Sequence, residues 1–262
     1  MIISPLKTTA GEKFFRKADK MKILLTNDDG INGEGLWAMA KALSRRKIFE
    51  LVIAAPMNEQ SGMAHALTVG KKIEYRKVEH ENFSAWAIGG TPTDCVKMYL
   101  ESMNEGAKVD AVISGINNGA NLATDVLYSG TVGAALEGFL HEIPVLAVSL
   151  GKDSEINFET VAEDTAEYFS SLIEHEDLFF HNLNFPKKYH GGFAKFKLTR
   201  LGRRDYINAF IHTQEGGKNF CEIKGEVIDS DKGEGTDIFA VEQGFVSVTP
   251  LHFDITHHKK LN

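Results

Sequence analysis

Three short polar stretches of this sequence carry side chains suited to hard cations. They are Asn27-Asp28-Asp29-Gly30, residues 56–62 (PMNEQSG) and residues 115–121 (GINNGAN). Asp28 and Asp29 are contiguous, and two close carboxylates repel each other unless a cation lies between them or one takes up a proton. An Asn-Asp turn that only caps a helix would use the same letters. The other two stretches add Ser61 and Asn117, a hydroxyl and an amide oxygen. Two carboxylates with two neutral oxygens suit Mg²⁺ or Mn²⁺, with water completing the shell. They do not suit structural zinc, which prefers Cys and His.

A second kind of chemistry is offered by residues 128–135 (YSGTVGAA). A helix opening on Ser129-Gly130-Thr131 presents free N–H groups, two hydroxyls and the positive end of the helix dipole, which together suit a phosphate. A plain Ser N-cap followed by glycines for close helix packing gives the same pattern. The run is not a P-loop, because the GxxxxGK[ST] lysine is missing. Nor is it a GxSxG elbow, since position 131 is Thr and Ser129 precedes its glycine. Gly89-Gly90-Thr91-Pro92-Thr93-Asp94 forms another glycine-rich junction that turn geometry explains equally well. His65 follows the Ser61 stretch and is a candidate acid–base group, although a lone histidine among ten is more often structural. His257-His258 and the acidic runs at Glu163-Asp164 and 229–234 read as solvated surface.

Positioning these stretches requires strands that end at them. Residues 22–26 (KILLT) form a short apolar run ending at NDDG, as a buried parallel strand does. Residues 51–55 (LVIAA), 110–114 (DAVIS) and 143–149 (IPVLAVS) repeat the pattern, with helical spacing at 34–46, at 91–103 behind Thr91-Pro92, and at 129–140. This alternation predicts a three-layer α/β domain with a mainly parallel sheet, whose ligands bind beyond the carboxyl ends of the strands. Residues 71–88 read as an antiparallel excursion. A helix at 157–174 and a strand at 178–183 follow, and the core is expected to be complete before the irregular, hairpin-like stretch at about 195–225. Residues 1–20 precede the first strand as an extension with no assigned role.

The composition, 43% hydrophobic and 25% charged, is that of a folded globular protein. A net charge of −7 gives no global attraction to nucleic-acid polymers, while a bound cation can reverse the local sign for a small phosphorylated substrate. Cys95 and Cys221 form no ligand pattern, which fits free thiols in a reducing cytoplasm. No apolar run approaches the roughly 20 residues that span a membrane, and the N-terminus lacks a secretory apolar region.

Taken together, TNDDGINGEGL at 26–36, APMNEQSGMAHALT at 55–68, GTPTDCV at 90–96, SGINNGANLATDVLYSGTVGAALEG at 114–138 and TDIFAVEQGFVSVTPL at 236–251 resemble the SurE family of stationary-phase survival proteins, which act as 5′-nucleotidases. The resemblance implies a Rossmann-like α/β/α core and a C-terminal arm exchanged within a homodimer or homotetramer. It implies one divalent ion per subunit on Asp28, Asp29, Ser61 and Asn117, and phosphate near Asn121, Ser129, Gly130 and Thr131. Where the family's arm carries an aromatic YYW-like run, this chain has GGKNFCEIKG at 216–225.

The chemistry expected is metal-assisted attack of water on a phosphomonoester, centred on Asp28 and Asp29, with the Ser129–Thr131 helix start stabilising the phosphoryl charge. An aspartyl-phosphate route through Asp28 fits less well, because both aspartates are committed to the ion and DxD spacing is absent. The alternatives are a broader phosphatase or short-chain polyphosphatase, and a nucleotide-binding module without catalysis.

Overall fold

A computed structural model describes residues 20–189, 191–192, 195–208, 210–257 and 260, so that almost all of the N-terminal extension and His258 lie outside the described residues. Strands β1 (Met21–Thr26), β2 (Phe49–Pro56), β4 (Phe83–Ile88), β5 (Ala111–Asn118), β6 (Val145–Leu150) and β7 (Phe180–Phe185) pair in parallel in the order β4-β2-β1-β5-β6-β7. The chain runs outward from β1 on one side and then restarts at β5 on the other. The switch point therefore lies between β1 and β5, where an open α/β sheet forms its ligand crevice.

Alternate residues of each strand enter two cores. Ile23, Leu25, Ile53 and Ala55 face helices α1 (Glu34–Ser44) and α4 (Phe158–Leu172), while Leu24, Ala54, Val112 and Val145 face α2 (Pro92–Met98) and α3 (Gly130–Leu140). Burying both faces explains why the strands read as continuous apolar runs. Each fully buried Leu or Ile contributes roughly 2 kcal/mol. The helix starts are capped as their sequences predict. Thr91 and Asp94 form a reciprocal capping box with Pro92 at the first position, and the side chains of Ser129 and Asn157 accept from Val132 and Thr160 N–H.

The structure corrects the sequence reading in two places, the end of β5 and the completion of the core, and bears out the antiparallel excursion at 71–88. β5 continues past Ser114 to Asn118, so Asn117 sits on the end of a strand rather than within a free loop. The antiparallel excursion is β3 (Tyr75–His80) with β4, and β4 joins the main sheet through β2. The core is also not complete at residue 195. β8 (Phe196–Leu198) and β13 (Val246–Pro250) extend the sheet to nine strands beyond β7, and α5 (Asp237–Glu242) leads into β13. Extended hairpins do occupy the stretch between, as β9 (Arg203–Ile207) with β12 (Glu226–Asp231), and β10 (Phe210–Glu215) with β11 (Lys218–Ile223).

Candidate active site

The turn after β1 is built by its own residues. Asn27 Nδ2 donates to Gly30 O at 2.9 Å, and Gly30 takes φ +89°, where a built Cβ would meet the Asn58 carbonyl carbon at 2.9 Å. A side chain there would be strained by both the backbone angle and the contact. Gln60 N–H donates to Asp28 O and Ile31 N–H to Pro56 O, both at 2.7 Å, lacing the β1 and β2 turns together. Gly130 completes the packing, since a Cβ on it would fall 3.0 Å from Asp28 Cβ. The glycine of Ser129-Gly130-Thr131 thus lets the start of α3 press against Asp28.

These contacts bury Asp28 almost completely, at 4% exposure. Its Oδ1 accepts from Thr131 Oγ1 at 2.5 Å. Burial pushes the Asp28 carboxyl up to about 6; the Thr131 hydrogen bond opposes that and the neighbouring charge of Asp29 adds to it. Asp29 is also raised, mainly by burial, against a hydrogen bond at 3.1 Å from Asn118 N–H. Glu59 reinforces the rise and Lys152 offsets it. Burial and mutual repulsion disfavour the charged forms of this pair, a cost that a bound cation would offset.

The neutral donors fit that need. Asn117 Nδ2 donates to Gly119 O at 2.7 Å, which leaves its amide oxygen as the atom it can offer an ion. Ser61 Oγ donates to Glu59 Oε1 at 2.8 Å and keeps its lone pairs. Asp28, Asp29, Ser61, Asn117, Asn121 and Ser129 all line one pocket of about 640 Å³. This all-oxygen set suits Mg²⁺ or Mn²⁺. Another group with metal-ligand chemistry, Glu101, Glu137 and His141, is already served by a cation, because Lys97 Nζ sits 2.6 Å from Glu101 and 3.1 Å from Glu137.

The residues expected to meet phosphate divide. Ser129 lines the pocket and caps α3 through its Oγ. Asn121 lines it too, with its Nδ2 on Ser149 Oγ at 2.8 Å and its backbone gripped by Asn182 and Asn184. Thr131 is fully buried behind Asp28, so its hydroxyl serves the carboxylate rather than the pocket. His65 stands apart from the pocket, with Nε2 2.7 Å from Glu137 Oε2. Burial alone would raise Glu137, but hydrogen bonds from His65 and Lys97 outweigh it and hold the carboxyl at about 2.

Part of the pocket wall escaped the sequence reading. Asp125, Tyr206, Ile223 and Lys152 line it as well. Arg204 bridges Asp125 and Asp229 at 3.0 and 2.7 Å, and Tyr206 Oη donates to Asp125 Oδ1 at 2.8 Å. The β9–β12 hairpin is thereby locked over the 3₁₀ turn Ala123–Leu127 of its own core. Only Lys152 had a legible signal, since it follows β6 on the same rim.

A family model described as Survival protein SurE matches residues 23–208. The chain is 40% identical to a 5′-nucleotidase SurE of Caldanaerobacter subterraneus subsp. tengcongensis, over 92% of this chain and 94% of that one. It is 42% identical to the 5′-nucleotidase SurE of Desulforamulus reducens, over 91% and 95%. The crystal structure of a SurE protein from Aquifex aeolicus superimposes with a TM-score of 0.76 at 35% identity, covering 91% of this chain and 96% of that one.

Proposed function

The chain belongs to the SurE family, and from that premise we propose that it is a metal-dependent 5′-nucleotidase hydrolysing nucleoside 5′-monophosphates to nucleoside and phosphate. The observation that carries the reading is the meeting of buried Asp28 and half-buried Asp29 with two neutral oxygen donors and a helix start in one pocket. Asp28, Asp29, Ser61 and Asn117 would hold one Mg²⁺ or Mn²⁺ per subunit. Such an ion, when bound, supplies a Lewis acid for the phosphoryl group and lowers the pKa of water. Thr131 fixes the carboxylate of Asp28. Asn121, Ser129 and the N-terminal dipole of α3 receive the anionic oxygens.

The size of the pocket supports a nucleotide, since 640 Å³ exceeds what a phosphate fills and the arm adds Tyr206 and Ile223 as wall for a nucleoside. The exposed β10–β11 hairpin supports assembly into a homodimer or homotetramer. Among the described residues no helix is long and apolar enough to cross a membrane. We assign the enzyme to the cytoplasm, in keeping with two free cysteines.

A phosphate-release screen over nucleoside monophosphates, sugar phosphates and short polyphosphate tests the proposal. Activity should vanish with a chelator and return with Mg²⁺ or Mn²⁺ but not with a monovalent salt. Full turnover by protein shown to be metal-free would refute the metal site. Equal rates on all three substrate classes would favour the broader phosphatase, and binding without release would favour a non-catalytic nucleotide module.

A further inference from the structure

The charges lining the pocket do not balance for the substrate it is read to take. Asp28, Asp29, Glu59 and Asp125 are carboxylates, and Arg204 neutralises Asp125 alone among them. A divalent ion on Asp28 and Asp29 brings that trio to zero, while a phosphomonoester arrives with close to two negative charges at neutral pH. The N-terminus of α3 offers about half a positive charge. Most of the dianion is then unanswered, with Glu59 still opposing it.

Among the described residues, Lys152 is the one lysine or arginine on the lining. It stands two residues beyond β6, on the rim that carries Asp28 and Asn117. Its side chain lies over the Asn117 turn, since a Cβ built on Gly119 would come 3.4 Å from Lys152 Cε and 3.6 Å from Asn117 Nδ2. Lys22, Lys41 and Lys97 each close on a glutamate, whereas Lys152 makes no ion pair among the described residues. An ammonium on a flexible stem, held beside the ion site and acting on Asp29 through its charge without a direct ion pair, is able to meet an anion.

We propose that Lys152 is a phosphate-recognition residue, whose Nζ supplies the protein's own full positive charge to the dianionic phosphoryl group of a phosphate monoester. This rests on the phosphomonoesterase reading. Because Lys152 serves binding of the dianion, its loss should appear in KM and in the affinity for product phosphate. kcat and metal binding should be spared.

The test compares full-length wild type, Lys152→Met and Lys152→Arg. It measures Mn²⁺ affinity alone, inorganic phosphate affinity in the presence of Mn²⁺, and KM and kcat on a nucleoside monophosphate. The exposed position of Lys152 lets both variants fold, which thermal melts verify. Lys152→Met should weaken phosphate binding and raise KM by about ten-fold or more, with kcat and Mn²⁺ affinity within about three-fold. Lys152→Arg should stay close to wild type. Added salt should weaken phosphate binding more steeply in wild type than in Lys152→Met. If Lys152→Met binds phosphate and turns over substrate within about two-fold of an active wild type, the assignment of Lys152 is overturned and the phosphomonoesterase reading stands. If wild type with Mn²⁺ neither releases nor binds phosphate, the reading itself falls and takes this inference with it.

Discussion

Thr131 Oγ1 donates a 2.5 Å hydrogen bond to Oδ1 of Asp28, joining the first turn of α3 to the turn after β1 across 103 residues of sequence. The SGT helix start, which alone suggests phosphate, is thus mechanically joined to Asp28 of the proposed cation site. Asp28 cannot turn its carboxylate freely while Thr131 holds one oxygen and Gly130 packs against its Cβ.

Thr131→Val should therefore weaken metal binding, although the sequence pattern assigns this hydroxyl to phosphate. Valine keeps the volume but leaves a buried carboxylate without its donor. Outer partners of metal ligands of this kind are worth about ten-fold in affinity or more. Titration calorimetry with Mn²⁺ checks it, with Thr131→Ser expected to recover most of the loss. Unchanged Mn²⁺ affinity in Thr131→Val would show that the bond does not orient Asp28.

Asp28→Asn should stabilise the chelated protein at alkaline pH and not at acid pH. The folded carboxyl sits at about 6, above its ordinary 3.8. The folded state therefore binds the proton more tightly than the unfolded chain, a benefit fully present below about pH 4 and lost as pH rises through 6. Above that pH the buried charge costs roughly 2–3 kcal/mol, which asparagine removes. Melting curves in EDTA should show the variant ahead at pH 8 and level with wild type at pH 4. Mn²⁺ should then raise the melting temperature of wild type far more than that of the variant. An unfolded variant would mean that the NDDG turn is structural.

Glu137→Gln should cost stability with the opposite pH dependence. Glu137 is buried, at 4% side-chain exposure, between His65 and Lys97, and its carboxyl lies at about 2 instead of 4.5. A depressed carboxyl stabilises the fold above pH 4.5 and loses that contribution as pH falls towards 2. Urea unfolding at pH 7 should show a loss of roughly 2 kcal/mol in the variant, shrinking by pH 3. A constant difference across that range would make the contact one of packing alone. Phosphatase activity should persist, because His65 and Glu137 lie off the pocket.

The rim geometry was legible because parallel strands buried on both faces announce themselves as apolar runs, and their carboxyl ends must share one edge. That rule alone groups Asp28, Asp29, Ser61 and Asn117. It could not reveal that Thr131 turns inward, since helix capping and phosphate binding use the same residue types. Nor could it place β13, whose VSVTP run is short and joins the sheet antiparallel to β7 across more than sixty residues. Arg204 and Tyr206 were hidden for a similar reason, as their partner Asp125 lies about 80 positions away.

The β10–β11 hairpin should govern assembly. Every residue of both strands is exposed, including Phe210 at 61% and Ile223 at 73%. A lone two-stranded hairpin is marginal in water, and apolar side chains on both of its faces call for a covering surface. Its base is different, because Arg204 and Tyr206 fasten β9 to Asp125 beside the pocket. Replacing residues 210–223 with a short Gly-Ser link keeps that fastening while removing the projecting strands. Exchange of such an arm is a low-cost route to a symmetric dimer, so the full chain should sediment as a dimer or tetramer and the shortened chain as a monomer. Mn²⁺ binding should survive, since Asp28, Asp29, Ser61 and Asn117 are untouched. KM for the nucleotide should rise, because Ile223 leaves the pocket wall. An unchanged sedimentation coefficient per subunit assembly would place the interface on another face of the α/β core.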